Sequence, residues 1–527
     1  MNIINKDYSG SDILILLFFI IIFKISFFFS GFILEDSFIV FRSAFNLADY
    51  GKFSYNLDEL NSATTSKIFG LICAGFRVIF KEYAILSIIT FNNLISFFSS
   101  LLIFFSIKNL FSNNNFSKEM FYFIGVIIFL NPSISQIGIV GLEFSILVFF
   151  VSLVFFAIST NSKKILYLAL FIPFIRVELI GFILIVSFSY LYFLKFKHFF
   201  ILIFAGSIGV LLNGYLNYIY DGYFFPGPAV SKWNSLSLAD AFSLNRVLDD
   251  LHFWFIGSRS FFLGIYSKFI PNIFLLSFAV MILILSVVNF RFLNFKKYNN
   301  IDKKIKIFLL TISGSIIFLP LSYVLGGHIW DWYLYPYSFL SYTILAIFII
   351  NLTNFKKLFL PLIIIIFFAN LLQFAVLKNI GFQENSYRSV IGKDIFKLSD
   401  TPTTDTLFLE PAGYVPFYAK IKTFDTVGLS SPEILKYRKM ENNQRWWLDF
   451  IEDKNPTFIL DRSDLYGGYS HDGIYGMTDS ELIWFKQNYK LIKKYNYHEY
   501  VSKYAGSLEY FYKLGSHSDF YLYKKNK

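Results

Sequence analysis

Apolar runs of about 20 residues recur along the first 377 residues of the chain, and they are the strongest constraint on its fold. A helix of about that length crosses roughly 30 Å of hydrocarbon, where each backbone polar group must be bonded within its own segment. Of the 527 residues, 55% are hydrophobic and 16% are charged, which a water-soluble domain of this size does not carry on its surface. The sequence therefore predicts a polytopic α-helical membrane protein.

The runs and the lysines between them predict a topology. About eleven transmembrane helices are expected, at residues 13–33, 84–107, 119–130, 137–158, 164–175, 179–194, 199–219, 268–290, 305–325, 333–351 and 358–377. With a cytoplasmic N-terminus, lysine pairs such as Lys163 with Lys164 fall on one side, which the positive-inside rule assigns to the cytoplasm. The expected location is the cytoplasmic (inner) membrane, with the lipid bilayer as a partner.

Three further features limit the class of protein. The first run has no small-residue cleavage site, so we expect it to remain as an anchor. Residues 64–80 are predicted to form an amphipathic helix along the outer surface, with a short extra span as the alternative. The net charge of +11 comes from lysines clustered between apolar runs, so no nucleic-acid partner is expected. The single cysteine, Cys73, excludes an intrachain disulfide.

The composition changes sharply after the last apolar run, and this change predicts two domains. Residues 1–377 are expected to form the transmembrane domain, and residues 378–527 a small extracytoplasmic α/β domain. Within the second, 406–410 and 458–461 have the pattern of short strands, while 433–439, 444–453 and 479–493 have that of amphipathic helices.

Ionisable residues close to the predicted spans collect at the outer face of the membrane, where their cost makes them candidates for function. Adjacent carboxylates at a hydrocarbon boundary repel one another and lose hydration, which favours a proton-accepting base or a metal ligand. A lipid-linked phosphate would need a cation such as Arg42 as a clamp, and an acceptor hydroxyl would need a carboxylate. One pocket is predicted from the charged residues Glu35, Asp36, Glu143, Arg176, Glu178, His328 and Asp331.

Each of these groups also has a simpler interpretation. Glu35 and Asp36 are consistent with a hydrated loop start that orients the first helix. Arg176 and Glu178 are consistent with an ion pair that closes a turn. The aromatic residues around 330–333 are typical of an interfacial belt. The sequence alone leaves both sets of interpretations open.

Several motifs resemble the C-type (GT-C) glycosyltransferases, in the order that the family has them. The segment EDSFIVFRSAFNLADYGKFSYN, from Glu35, is similar to the family's DDAYIxxRYAxNLAxGxGxVFN. Downstream, ATTSKIFGL from Ala63 resembles TSPLxxLL, VGLE from Val140 resembles GLET, and IRVELIG from Ile175 resembles RPEG. In the tail, EPAGYVPFYAKIKTFDTVGLSSPE from Glu410 resembles a segment of the mycobacterial terminal arabinofuranosyltransferase-like members.

The resemblance implies an integral membrane glycosyltransferase with a polyprenyl-phosphate sugar as donor. Its acceptor would be a cell-envelope glycan or glycolipid outside the cytoplasmic membrane. Asp36 matches the second acid of the family motif and Glu35 the first, so one of them is expected to be the catalytic base. The expected donor-binding residues are Arg42, Arg176, Glu178, His328, Asp331 and Tyr333.

The chain also departs from the family pattern. Glu35 replaces an aspartate, Lys67 and Val177 replace prolines, and Phe144 replaces the threonine after Glu143. The longer side chain of Glu35 leaves open which acid of the pair takes the proton. Family members differ in metal dependence, and Glu35, Asp36 and Glu143 are candidate oxygen ligands for Mg²⁺ or Mn²⁺.

Other functions use the same charges. In a transporter or flippase they would form a substrate relay, although neither an inverted repeat nor charges at mid-membrane are seen. A polymerase or ligase would move a lipid-linked glycan chain instead of one sugar. The tail could also act as a scaffold beside any of these activities.

Overall fold

The computed structural model describes residues 27–111, 118–234, 284, 303–325, 333, 335–350, 355–438, 445–468, 476–514 and 518–526. Its helices are α1 Glu35–Tyr50, α2 Lys67–Phe80, α3 Ala84–Phe111, α4 Lys118–Phe129, α5 Pro132–Ile139, α6 Phe144–Thr160, α7 Lys163–Leu166, α8 Phe171–Ile175, α9 Ile180–Tyr192, α10 Phe196–Asp221, α11 Gly227–Asn234, α12 Lys303–Leu325, α13 Tyr335–Ile350, α14 Phe355–Gly381, α15 Ser389–Leu398, α16 Tyr414–Ala419, α17 Ile434–Arg438, α18 Trp446–Lys454, α19 Asp479–Asn488, α20 Tyr497–Tyr504 and α21 Glu509–Lys513. Between them lie short 3₁₀ turns, at Lys81–Tyr83, Tyr167–Leu170, Val177–Leu179, Leu465–Gly467 and Gly506–Leu508, and a π-helical turn at Phe382–Arg388.

The chain divides into two compact units, and the division is not a simple cut along the sequence. The helical unit consists of the described residues in Met1–Ser30, Leu86–Tyr215 and Leu238–Leu377. The mixed unit consists of those in Gly31–Ile85, Leu216–Ser237 and Lys378–Lys527. The tail thus shares a compact unit with residues 31–85, which carry Glu35 and Asp36. The predicted boundary between domains 1–377 and 378–527 coincides with the start of the last segment of the mixed unit, at Lys378. The prediction did not include the two earlier segments of that unit.

The mixed unit is built around a five-stranded sheet in the order β2-β1-β3-β5-β4. The strands are β1 Thr406–Leu409, β2 Lys422–Asp425, β3 Phe458–Asp461, β4 Tyr489–Tyr495 and β5 Phe520–Lys525. β1 is parallel to both β2 and β3, whereas β5 is antiparallel to both β3 and β4. The structure confirms the two strands that the sequence predicts, and it adds β2, β4 and β5.

Helices cover both faces of this sheet, which explains why the central strands are apolar without alternation. On one face, Leu407 and Leu460 pack with residues of α15, α16 and α20. On the other, Phe408 and Ile459 pack with α18 and α19, where Trp447 is buried. A predicted helix at 479–493 is wrong in its second half, because α19 ends at Asn488 and β4 follows. β4 carries several exposed lysines, as edge strands commonly do.

In its described part the helical unit contains helices and 3₁₀ turns. α9 packs against α12, α12 against α13, and α13 against α4. Their interfaces bury aliphatic and aromatic side chains such as Ile183, Phe308 and Leu340. The packing gives the unit its own core.

The structure contradicts the predicted fold class, a GT-C-like polytopic protein with about eleven transmembrane helices. Among the helices whose backbone and side chains are both described, two are long and apolar enough to cross a membrane. They are the segment Lys67–Phe111, of 45 residues, which comprises α2, a 3₁₀ turn and α3, and the helix Phe196–Asp221, of 26 residues. The predicted spans at 13–33 and 268–290 lie almost entirely outside the described residues.

Breaks in the helices explain the error. The predicted span at 119–130 is α4, whose 12 residues rise only about 18 Å at about 1.5 Å per residue, short of roughly 30 Å. The predicted span at 137–158 is divided between α5 and α6, with Gly141 in the left-handed region at φ 82° between them. The predicted span at 164–175 consists of α7, a 3₁₀ turn and α8. Hydropathy records that such runs are apolar, but it does not record where a helix ends.

Candidate functional site

Glu35, the first residue of α1, joins that helix to the C-terminal part of the mixed unit. Its Oε2 atom accepts a hydrogen bond from Nη1 of Arg388 at 2.6 Å. Its Oε1 atom accepts two more, from the backbone N–H groups of Gly413 and Tyr414, each at 2.8 Å. The side chain is buried, and both carboxylate oxygens are engaged. These contacts favour an anchoring role for Glu35, since charge-assisted bonds of this kind hold an ionised carboxylate firmly.

The approach of Glu35 depends on the absence of a side chain at Gly413. A Cβ atom at this position would lie 2.1 Å from the backbone oxygen of Glu35 and 2.6 Å from its Oε1 atom. Aromatic packing closes the same contact, because the ring of Phe38 stacks on that of Tyr414 with centroids 3.8 Å apart. The hydroxyl of Tyr414 donates to the carbonyl of Ile33 at 2.9 Å. The bonds of Glu35 and the contacts of Tyr414 with Phe38 and Ile33 therefore hold the beginning of α1 in place.

Asp36 lies next to this anchor and is half-buried. Its negative charge is one of those that raise the pKa of Glu384. Asp36 and Glu384 therefore lie near enough to interact electrostatically. Of the two predicted acids, Asp36 is the more accessible to solvent, because Glu35 is buried under the start of α16.

Glu384 and Arg388 complete the cluster and were not predicted. Both lie on the π-helical turn, four residues apart, and Nη1 of Arg388 is 3.5 Å from Oε1 of Glu384. The Oε2 atom of Glu384 is buried and has no hydrogen-bond partner among the residues that the structure describes. Burial raises the pKa of Glu384 to about 8, with Arg388 opposing the rise and the charges of Glu35 and Asp36 adding to it. This carboxyl group therefore holds its proton to a higher pH than an exposed glutamate does.

Arg42 has a different environment from the one expected of a phosphate clamp. Its guanidinium donates to the carbonyls of Tyr55 at 2.9 Å, Pro416 at 2.7 Å and Ile421 at 2.7 Å. It also lies over the ring of Tyr55, at 4.4 Å from the centroid. These contacts tie α1 to the loop that follows α16. The predicted donor-binding role of Arg42 gains no support from them.

Four predicted residues come together in the helical unit, around Arg176. Its Nη1 atom lies 2.7 Å from Oε1 of Glu143, and its Nε atom donates to Oε1 of Glu178 at 2.6 Å. The guanidinium lies over the rings of Phe144 and Tyr333, at 5.2 and 4.7 Å from their centroids. Arg176 can adopt this position because α8 ends at Ile175, and Arg176 has the extended backbone of a helix C-cap. One buried guanidinium thus serves two carboxylates.

The remaining predictions are distributed as follows. His328 and Asp331 lie outside the described residues. Glu35, Asp36 and Arg42 belong to the mixed unit, whereas the Arg176 group belongs to the helical unit. The prediction of one pocket from all of these residues stays a prediction.

A second buried ion pair in the mixed unit was also missed. Nζ of Lys67 lies 2.6 Å from Oδ2 of Asp221 and donates to the carbonyl of Thr64 at 2.6 Å. Oδ1 of Asp221 accepts from the backbone and hydroxyl of Ser62, and Oδ2 accepts from the N–H of Gly227. Each charge is compensated by close bonds, so the pair fixes the chain before α2 to the end of α10. The sequence held one sign of this ion pair: Lys67 stands where the GT-C glycosyltransferase motif has a proline.

The cluster around Glu35 does not fit a metal ion. Among the described residues, no group of three or more histidine, cysteine, aspartate or glutamate side chains is arranged to hold one. The oxygens of Glu35 are engaged with donors, and burial raises the pKa of Glu384, which makes its carboxyl group a poorer metal ligand. Glu143 is paired with Arg176. We therefore derive no step through Mg²⁺ or Mn²⁺.

Comparison with known proteins adds one match. Residues 379–521 match a family model described as Domain of unknown function (DUF8728). The match lies within the tail, and its description assigns no activity. No curated protein and no solved structure matches the chain.

Proposed function

We propose that the protein is a membrane glycosyltransferase that moves a sugar from a polyprenyl-phosphate donor to a hydroxyl group of a cell-envelope glycan or glycolipid. The observation that carries the proposal is the difference in burial between the two adjacent acids at the start of α1. Glu35 is buried and bonded to Arg388, Gly413 and Tyr414, while Asp36 beside it is half-buried. The anchored neighbour holds the backbone that carries Asp36, and a general base needs such a fixed position.

In the proposed reaction Asp36 is the base. Its carboxylate takes the proton of the acceptor hydroxyl as the hydroxyl oxygen forms a bond to the anomeric carbon of the donor sugar. The bond from that carbon to the phosphate oxygen breaks, and the lipid phosphate leaves with the electron pair. Glu35 is a positioning residue in this scheme, since its bonds to Arg388 and α16 orient the helix that carries Asp36.

Arg176 is a separate candidate, within the helical unit, for binding an anionic group such as a phosphate. Its two carboxylate partners differ in exposure, because the side chain of Glu143 is 1% exposed and that of Glu178 is 26% exposed. An incoming phosphate would therefore displace Glu178 and leave the bond to Glu143 in place. Bidentate pairing of a guanidinium with phosphate is strong enough to compete with an ion pair that reaches solvent.

The role of Asp36 is tested by sugar transfer in membranes that contain the full chain, supplied with a panel of polyprenyl-phosphate hexoses and pentoses labelled in the sugar. Asp36→Asn keeps the size of the side chain and removes its basicity. We expect transfer to fall about 100-fold or more, the contribution typical of a general base. Asp58→Asn is the matched control, because Asp58 is an exposed acid of the same unit that pairs with Lys422. Equal rates in the Asp36→Asn variant and the control would remove Asp36 from the mechanism.

The displacement of Glu178 is tested by the binding of a short-chain polyprenyl phosphate to the full chain. Glu178→Gln removes the charge that competes with the phosphate for Arg176. We expect the phosphate to bind more tightly, because the variant frees the cation. An unchanged affinity would show that the phosphate does not bind at Arg176.

A further inference from the structure

Uncharged polar side chains meet inside the helical unit, where the chain entering α5 contacts α14. Nδ2 of Asn370 donates to the carbonyl of Leu130 at 2.6 Å and to that of Ile366 at 2.8 Å. One helical turn further on, Nε2 of Gln373 donates to Oε1 of Gln136 at 2.8 Å. Oδ1 of Asn131 caps α5 by accepting from the N–H of Ser133. The amide cluster, defined as Asn131, Gln136, Asn370 and Gln373, is at most 1% exposed at each residue.

Every amide of the cluster retains one polar atom whose hydrogen bonding is unfulfilled. Nδ2 of Asn131, Nε2 of Gln136, Oδ1 of Asn370 and Oε1 of Gln373 have no hydrogen-bond partner within the described part of the chain. Buried amides without partners are costly and rare in proteins, so four in neighbouring positions require a physical explanation.

Exchanging the oxygen and nitrogen positions of the side-chain amides does not give the unmatched atoms partners. Asn131 is fixed by the N–H that its oxygen accepts, and Asn370 by the two carbonyls to which its nitrogen donates. Reversing both members of the Gln136 and Gln373 pair again leaves one donor and one acceptor. The cluster therefore presents unmatched donors and unmatched acceptors together, without a formal charge.

This combination selects one class of ligand. A fully ionised phosphate ester would satisfy the amide nitrogens but not the oxygens, and a metal cation would satisfy the oxygens but not the nitrogens. A hydroxyl group both donates and accepts, so it matches both kinds of atom. We propose that the amide cluster is a binding site for a neutral hydroxyl-bearing molecule, supplied either by ordered water or by a sugar ring.

The surroundings of the cluster leave both sources of hydroxyl open. The hydroxyl of Ser133 contacts that of Ser338 on α13, and Tyr335, one turn earlier on α13, packs against Phe144 with ring centroids 5.5 Å apart. Hydroxyls and aromatic rings are common in sugar sites, and buried water commonly joins such polar groups. The inference goes beyond the proposed function and does not depend on it, because it rests on unmatched buried atoms rather than on the transfer reaction.

The decisive experiment is an experimental structure of the full chain at a resolution that resolves ordered water. We expect density within hydrogen-bond distance of the four unmatched amide atoms. Its shape, with and without D-mannose, D-galactose or L-arabinose present, distinguishes a sugar ring from water. A cluster without density under every condition would overturn the proposal.

A pair of variants provides an independent test. Replacing Gln136 and Gln373 together by leucine removes the amide pair at similar volume. We expect a lower melting temperature, because the bound hydroxyl loses its partners, and loss of any saturable rise that the three sugars produce in the wild type. A higher melting temperature would overturn the proposal, since it would mean that the unmatched amides are dry and only costly. Asn213→Leu is the control for the sugar response, because Asn213 is a buried amide of the same unit that already donates to Phe174.

Discussion

The mixed unit and the helical unit each hold an arginine between two glutamates, but Arg176 is buried whereas Arg388 is half-buried. In the helical unit, Arg176 makes close bonds to both Glu143 and Glu178. In the mixed unit, Arg388 is 2.6 Å from Glu35 and 3.5 Å from Glu384. Backbone N–H groups supply the other bonds of Glu35, while Glu384 is left with a raised pKa. The same three side-chain types can therefore form a closed ion cluster or one in which a glutamate has a raised pKa.

The comparison predicts its largest effect at Arg176. Arg176→Met leaves Glu143 buried without its cation, so we expect the free energy of unfolding to fall by about 3–5 kcal/mol. The measurement is denaturation of the full chain in detergent. Arg77→Met is the control, because Arg77 pairs with Asp49 at a site where both side chains are substantially exposed. Its loss should stay near or below about 1 kcal/mol. Equal losses in the two variants would show that the Arg176 cluster is not a buried ion pair in solution.

The corresponding change in the mixed unit should cost less. Arg388→Met removes one charged partner of Glu35 but leaves the two backbone bonds at 2.8 Å. We expect a loss of about 1.5–3 kcal/mol, the contribution of one hydrogen bond to a charged group. The same denaturation measurement ranks the two arginines. A larger loss for Arg388→Met than for Arg176→Met would reverse the comparison.

Gly413→Ala tests the close approach on which the Glu35 anchor depends. The added methyl group would overlap the backbone of Glu35, so we expect a loss of about 1–3 kcal/mol from overpacking. Gly75→Ala is a matched control, because a Cβ atom there has open space in a helix, where alanine is favoured over glycine. Melting temperatures that fall for Gly413→Ala and hold or rise for Gly75→Ala would agree with the structure. The opposite order would contradict the contact.

A separate effect, on the pH dependence of stability, is expected at Glu384. The pKa of Glu384 rises from an ordinary 4.5 to about 8 in the folded chain. The folded state therefore keeps a proton that the unfolded state releases, and the resulting stability is present below pH 4.5 and lost as the pH rises to about 8. We expect Glu384→Gln to flatten the fall in melting temperature between these values. The exposed Glu82→Gln should follow the wild type, and an unchanged slope in Glu384→Gln would remove Glu384 as its source.

Local patterns in the sequence predicted local structure well. The apolar strands β1 and β3 were found, because fully buried parallel strands contain continuous runs of large apolar residues. The pairing of Arg176 with Glu178 was one of the predicted alternatives, since only Val177 lies between them in the sequence. β4 was missed because its lysines gave it the appearance of an amphipathic helix.

Long-range partners could not be predicted in the same way. Arg388 is 353 residues from Glu35, and no periodic pattern connects the two positions. The N–H groups of Gly413 and Tyr414 are backbone donors, which every non-proline residue carries, so their role leaves no signal in composition. The number of membrane spans was wrong for a related reason. Hydropathy is a property of a window, whereas the ends of α5 and α8 depend on local backbone geometry.

In the proposed mechanism Glu35 holds the start of α1 in place, and Asp36 is the general base. Measuring melting temperature and sugar transfer together in Glu35→Gln and Asp36→Asn tests this division of roles most directly. We expect Glu35→Gln to lower the melting temperature more than Asp36→Asn does, because Glu35 is the more buried of the two acids. Transfer should fall about 100-fold or more in Asp36→Asn, and in Glu35→Gln only as far as the anchor is loosened. Transfer at the wild-type rate in Asp36→Asn, or an unchanged melting temperature in Glu35→Gln, would contradict this division of roles.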